Sequence, residues 1–92
     1  MTDEPREAQA HVAERLRAQG FTVVLARPGD PVDLVAWDGD TTRFIRLGET
    51  RGEALAAADA LHGMTWPPHS EIEVWWGEGK TWHHRVLHSI TR

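Results

Sequence analysis

Gly20-Phe-Thr-Val-Val-Leu-Ala-Arg-Pro-Gly-Asp-Pro-Val-Asp-Leu-Val-Ala-Trp-Asp-Gly-Asp-Thr-Thr-Arg-Phe-Ile-Arg-Leu-Gly48 is the stretch that decides the fold. Phe21 to Ala26 is a continuous apolar run rich in β-formers, the pattern of a buried strand. Arg27 to Pro31 holds two prolines and a glycine and reads as a turn. Val32 to Trp37 is a second strand, Asp38-Gly39-Asp40 a strong hairpin signal, and Thr41 to Leu47 a third strand. Side chains alternate along a strand, so Asp33, Val35 and Trp37 share one face. On the third strand Phe44, Arg46 and Gly48 share one face, and Ile45 and Leu47 take the other.

Outward from this stretch the pattern changes period. Pro5 to Gln19 reads as a helix, with Pro5 suited to its first turn and Asp3 and Glu4 favourable to its dipole. Ala8, Val12, Ala13, Leu16 and Gln19 fall near one face, and Gly20 ends the helix. Glu53 to His62 reads as a second helix with a narrow stripe of Ala54, Ala57, Ala58 and Leu61, small residues that imply close packing on a sheet. Met64 to Ser70 is a loop. Glu71 to Trp76 alternates acid and hydrophobe, as a half-buried strand does. Gly77 to Lys80 is a hairpin turn, and Thr81 to His88 is the last strand. The expected fold is α/β, with element order α-β-β-β-α-β-β, in one domain spanning residues 1–92.

Composition bounds the function. The 92 residues are 40% hydrophobic and 26% charged, which suits a globular chain. There is no cysteine, so disulfides, zinc–thiolate sites and thiol nucleophiles are excluded. The acidic N-terminus carries no signal peptide, and no apolar run approaches the roughly 20 residues of a membrane span, so a cytoplasmic protein with no membrane partner is expected. The net charge of −4 argues against broad non-specific nucleic-acid binding, though not against a local basic stripe. Nine of the ten basic residues are Arg. Their forks suit phosphate and carboxylate, and a GC-rich genome would enrich Arg equally.

The order of elements, with an Asp opening the second strand, resembles the restriction-endonuclease-like (PD-(D/E)xK) superfamily, and within it the archaeal Holliday-junction resolvases. The resemblance covers residues 8 to 50 best. It implies a mixed sheet with helices packed on it. It also implies a Glu eleven residues before the helix-ending glycine, where this chain has Gln9. It implies an Asp at the start of the second strand, which is Asp33. It implies Glu-x-Lys on the third strand, where Phe44-Ile45-Arg46-Leu47-Gly48 places Arg46 and Gly48. One of the four positions keeps its family residue.

Cleavage of a phosphodiester by such a site needs one or two hard divalent cations held by carboxylates, with the lysine placing the water. A lone Asp33 is a poor Mg²⁺ ligand set. Arg46 would put positive charge where the second carboxylate belongs, and an ion pair between Arg46 and Asp33 is expected instead. No catalytic residue is therefore assigned and no cofactor is expected. Under the alternative, an endonuclease with a relocated site would take Mg²⁺ or Mn²⁺ on Asp33. Of the acids that could have migrated, Glu49 should face the other way and Glu14 lies about 140° around the helix. Asp30, Asp38 and Asp40 sit in turns, where acids are common for local reasons.

Three further groups of residues bear on binding. Arg27, Arg43, Arg46 and Arg51 lie near the edge of the old site and are candidates for nucleic-acid phosphate contacts, or for local pairing with Asp30, Asp38, Asp40 and Glu49. Trp75, Trp76 and Trp82 flank the last hairpin. Neighbours alternate faces, so Trp75 and Trp76 are not expected both to point inward, and an outward Trp beside acids predicts a protein interface. The resemblance adds that relatives act as dimers. Among the histidines, His83 and His84 point to opposite faces. His84 and His88 share a face but sit about 13 Å apart along a strand, so no zinc site is expected. The sequence thus predicts a pseudoenzyme: a nuclease-like fold that no longer cleaves, acting through a protein partner, a second copy of itself or a nucleic-acid backbone. A purely structural or regulatory subunit is the third class.

Overall fold

The computed structural model describes residues 4–79 and 81–91. Helix α1 (Glu4–Ala18) turns one face of Val12, Ala13 and Leu16 inward, and all three are fully buried. Its end is a Schellman motif. The Phe21 amide donates to the Leu16 carbonyl at 3.1 Å and the Gly20 amide to Arg17 at 3.0 Å. Gly20 has φ +100°, a conformation that costs a Cβ-bearing residue dearly, so the glycine fixes both the stop and the direction in which β1 leaves. The acid expected at Asp3 lies outside the described residues.

The sheet follows as β1 (Thr22–Leu25), β2 (Leu34–Trp37), β3 (Thr42–Gly48), β4 (Ser70–Glu78) and β5 (Thr81–Ile90), with helix α2 (Arg51–His62) between β3 and β4. Spatial order equals chain order. The β3–β4 pair is parallel and every other pair antiparallel, which matches the restriction-endonuclease-like expectation of a mixed sheet. A parallel neighbour needs a crossover, and α2 supplies it. Helix α2 begins two residues earlier than its pattern suggests, because Thr50 caps it. The Thr50 hydroxyl accepts the Glu53 amide at 3.1 Å.

Each face of the sheet is covered by one helix. On the α1 side Val12, Ala13, Leu16, Val23, Leu34, Ala36, Ile45 and Trp75 form one core. On the α2 side Val32, Ala54, Ala58, Leu61, Ile72, Val74 and Trp76 form the other. The two cores correct three expectations. First, β1 is an edge strand. Only Val23 is buried in it, while Val24 and Leu25 are about half exposed, so an apolar run here does not mean a buried strand. Second, β4 is buried on both faces, since it lies between β3 and β5 and gives Trp75 to one core and Ile72, Val74 and Trp76 to the other. Its Glu-x-Glu alternation does not mark a wet face, and Glu73 is fully buried. Third, Trp75 and Trp76 do point to opposite faces, yet both are buried because both faces have a core.

The β4–β5 hairpin carries an irregularity. Glu73 pairs with Val86 but Ile72 pairs with His88, so Leu87 is an extra residue in β5. Such a bulge reverses the alternation beyond it. His84 lies opposite Trp75 of the α1-side core, and His88 lies opposite Ile72 of the α2-side core. The two histidines expected to share a face therefore do not.

Candidate functional site

The four positions that carry the resemblance meet where α1, β2 and β3 converge. Asp33 immediately precedes β2, and its backbone is held twice. Its amide donates to the Ile45 carbonyl at 2.8 Å, and its carbonyl accepts the Ala26 amide at 2.9 Å. The same carbonyl accepts the Gln9 side-chain amide at 2.9 Å, tying α1 to the start of β2. A carboxylate at position 9 has no hydrogen to give, so the neutral amide has a use of its own here.

The Asp33 carboxylate is already engaged. Its Oδ2 accepts the Leu47 amide at 2.7 Å, a charge-assisted bond. Arg46 stands beside it, with Nε 3.9 Å from the same oxygen. The expected ion pair is thus a long contact, secondary to the Leu47 amide. The guanidinium is shared with the carbonyls of Pro31 and Asp30, which lie 3.4 and 3.5 Å from Nη1. Gly48 closes the site from the other side. A Cβ there would lie 2.6 Å from the Ala54 amide nitrogen and 2.8 Å from its Cα, so α2 rests directly on the glycine backbone.

A cleft of about 460 Å³ opens at the carboxyl ends of β3 and β4, lined by Asp33, Gly48, Glu49, Glu53, Gly77 and Trp82 among others. Open α/β sheets bind ligands in such places. The donor set does not suit the divalent cation that the fold family implies. Asp33 spends one oxygen on a backbone amide beside a guanidinium. Among the described residues no three His, Asp or Glu side chains converge as ligands.

The four arginines separate. Arg27 and Arg46 line one groove with Gln9 and Asp30. Arg51 is exposed on the first turn of α2. Arg43 is not available to a phosphate. It is bound to Glu73 through two hydrogen bonds of 2.6 and 2.7 Å, and its guanidinium lies 5.0 Å from the Phe21 ring centre and 5.9 Å from that of Trp75. The expected local partners were turn acids; the real one lies on the parallel neighbour strand. Glu73 also accepts the Trp75 indole N–H at 2.9 Å and pushes the Arg43 pKa further above its ordinary value. The signal that could have found Glu73 is Trp75 itself, whose N–H needs an acceptor when buried.

The tryptophans do not form the expected surface. Trp75 stacks on His84 with ring centres 4.9 Å apart, Trp76 on His83 at 5.8 Å, and the half-buried Trp82 on His11 at 6.1 Å. The exposed apolar groups lie elsewhere, on Val24, Leu25, Trp37, Met64 and Val86. Sequence reasoning also missed His62 Nδ1, which lies 2.7 Å from His88 Nε2.

The class these features define is a restriction-endonuclease-like fold. No protein-family model and no curated protein matches the chain. Among solved structures it is similar to Hjc, a Holliday junction resolvase from Archaeoglobus fulgidus, a hyperthermophilic archaeon. That likeness has a TM-score of 0.59 at 14% identity and covers 88% of this chain and 74% of the other. At that identity it establishes the fold, and function must be argued from the site. Among the described residues no helix is long and apolar enough to cross a membrane.

Proposed function

We propose that this chain is an interaction module on a nuclease-like fold and does not cleave DNA. The observation that supports this is the state of Asp33. Its Oδ2 is bound by the Leu47 amide at 2.7 Å with the Arg46 guanidinium alongside, so the one family acid serves the fold. The partner is a protein, a second copy included. The face of β1 and β2 away from α1 carries Val24 and Trp37, while α2 lies over β3 and β4, leaving an apolar patch open to contact. The net charge of −4 disfavours a phosphate backbone. A chain without cysteine suits the reducing cytoplasm. The test has two parts. Plasmid and four-way-junction DNA incubated with Mn²⁺ should stay uncut. Light scattering should show association that Trp37→Ala weakens. A monomer at high concentration that also captures no protein partner through Trp37 defeats the interaction role.

The second reading, an endonuclease with a relocated site, draws on Asp33, Glu49 and Glu53 lining one cleft. It requires Mn²⁺-dependent nicking that both Asp33→Asn and Glu53→Gln abolish.

A further inference from the structure

We propose that His62 and His88 form a two-imidazole binding site for a square-planar transition-metal ion, Cu²⁺ foremost. The site shares no residue with the Asp33 cleft and stands or falls independently of the function proposed above.

The spacing of the pair fits a chelate. His62 Nδ1 and His88 Nε2 are 2.7 Å apart, with the rings edge-on at 87° and their centres 4.6 Å apart. A straight N–H···N bond of this length would set the centres about 5 Å apart, so the contact is bent away from the collinear hydrogen-bond geometry. Two imidazoles in adjacent positions on a square-planar ion, with metal–nitrogen distances of about 2.0 Å, have nitrogens about 2.8 Å and ring centres about 4.5 Å apart. A tetrahedral ion would need about 3.3 Å between the nitrogens. The pair as it stands is nearer the first arrangement.

The fold has a device that creates this meeting. His62 is the last residue of α2, and His88 reaches it only because of the extra residue Leu87 in β5. Without the bulge His88 would share the face of His84 and Val86, on the side away from α2. Bulges are over-represented where a side chain must be re-aimed for use. The end of α2 also suits a cation, since the last carbonyls of a helix carry partial negative charge. Asp59, one turn before His62, and Arg85 line the adjoining hollow, so their charges offset one another. His62 is exposed and His88 half-buried, so an ion enters from the His62 side and its other positions are left to water. Imidazole donors with water favour Cu²⁺ over the other divalent ions of the first transition row.

The test uses the full chain titrated with Cu²⁺ at about pH 7.5, followed by calorimetry and electron paramagnetic resonance. One equivalent should bind with a signature of two coordinated nitrogens. His62→Ala and His88→Ala should each weaken binding by about tenfold or more, and His62→Gln should do the same, while His69→Ala and His84→Ala leave it unchanged. The wild type should melt at a higher temperature with Cu²⁺, and His62→Ala should not. Wild-type affinity retained in His62→Ala, a spectrum with one nitrogen, or tighter binding of Zn²⁺ than Cu²⁺ would each overturn the proposal.

Discussion

Arg43 and Glu73 meet diagonally across the parallel β3–β4 pair, Arg43 lying opposite Glu71, and are joined by bonds of 2.6 and 2.7 Å, with the acid fully buried and the guanidinium side chain 13% exposed. Burying two charges is costly unless each satisfies the other, and here the fork of the Arg meets both oxygens of the carboxylate. Trp75 takes the further lone pair with its indole N–H. The asymmetry of such pairs sets the first prediction. Glu73→Ala should destabilise by about 3–5 kcal/mol, because Arg43 is left uncompensated. The double variant Arg43→Met with Glu73→Leu should recover most of that loss. Urea denaturation of the three proteins checks it, and a double variant no better than Glu73→Ala contradicts it.

Gly48 yields the second prediction. The Ala54 backbone occupies the space into which any side chain would grow. Gly48→Ala should cost about 1–3 kcal/mol, as overpacking does, and Gly48→Lys at least as much. Rebuilding a cleavage site by restoring that lysine should therefore fail on stability before chemistry. Gln9→Glu alone should cost about 1 kcal/mol, since the Asp33 carbonyl loses its side-chain donor. Thermal melts followed by circular dichroism separate the two effects.

These residues show how far the sequence could be read. The core of the fold was legible from local signals: Gly20 stopping α1, the Asp38-Gly39-Asp40 turn, and the parity of Ile45 against Phe44 all act within a few residues. The positions Gln9, Asp33, Arg46 and Gly48 were grouped by the resemblance to restriction-endonuclease-like proteins, and no local signal alone would have joined them. What could not be read depends on neighbours far along the chain. The alternation of Glu71, Ile72, Glu73 and Val74 has the same form whether one face is wet or both are covered, so Glu73 and the one tryptophan expected outside were misplaced. The bulge at Leu87 has no signature in Val86-Leu87-His88, yet it decides which face His88 takes. Edge status also belongs to the whole sheet, which is why Val24 and Leu25 lie open despite an apolar run.

Asp38 gives a pH-dependent prediction. Its carboxylate accepts the amides of Thr41 and Asp40, each at 3.1 Å, and the Thr41 bond foremost holds its pKa below the ordinary 3.8. A folded pKa below the unfolded one adds stability that is fully present above the unfolded value. That stability is lost as pH falls through the folded one. The β2–β3 turn should thus loosen only in acid below pH 3.8. Asp38→Ala should remove this part of the acid dependence, and Asp38→Asn should keep the turn while removing its titration. Amide exchange at Asp40 and Thr41, followed as pH is lowered, reads the effect. Equal protection in wild type and Asp38→Ala at neutral pH contradicts it.

Asp33 separates a structural acid from a catalytic one. As a structural group it needs only an oxygen placed to accept the Leu47 amide at 2.7 Å. Asparagine offers such an oxygen in the same place, and alanine offers none. Asp33→Asn should therefore change stability by less than about 1 kcal/mol, while Asp33→Ala should cost about 1–3 kcal/mol by leaving a half-buried amide without its partner. A carboxylate serving a cation behaves in the opposite way, because removing its charge relieves repulsion in the metal-free protein and both variants then destroy ion binding alike. Denaturation midpoints of the two variants, measured with and without Mn²⁺, decide between the cases. The structural role predicts a large gap between Asn and Ala and no response to the metal in either, and a wild type stabilised by Mn²⁺ with Asn and Ala equivalent would reverse the assignment.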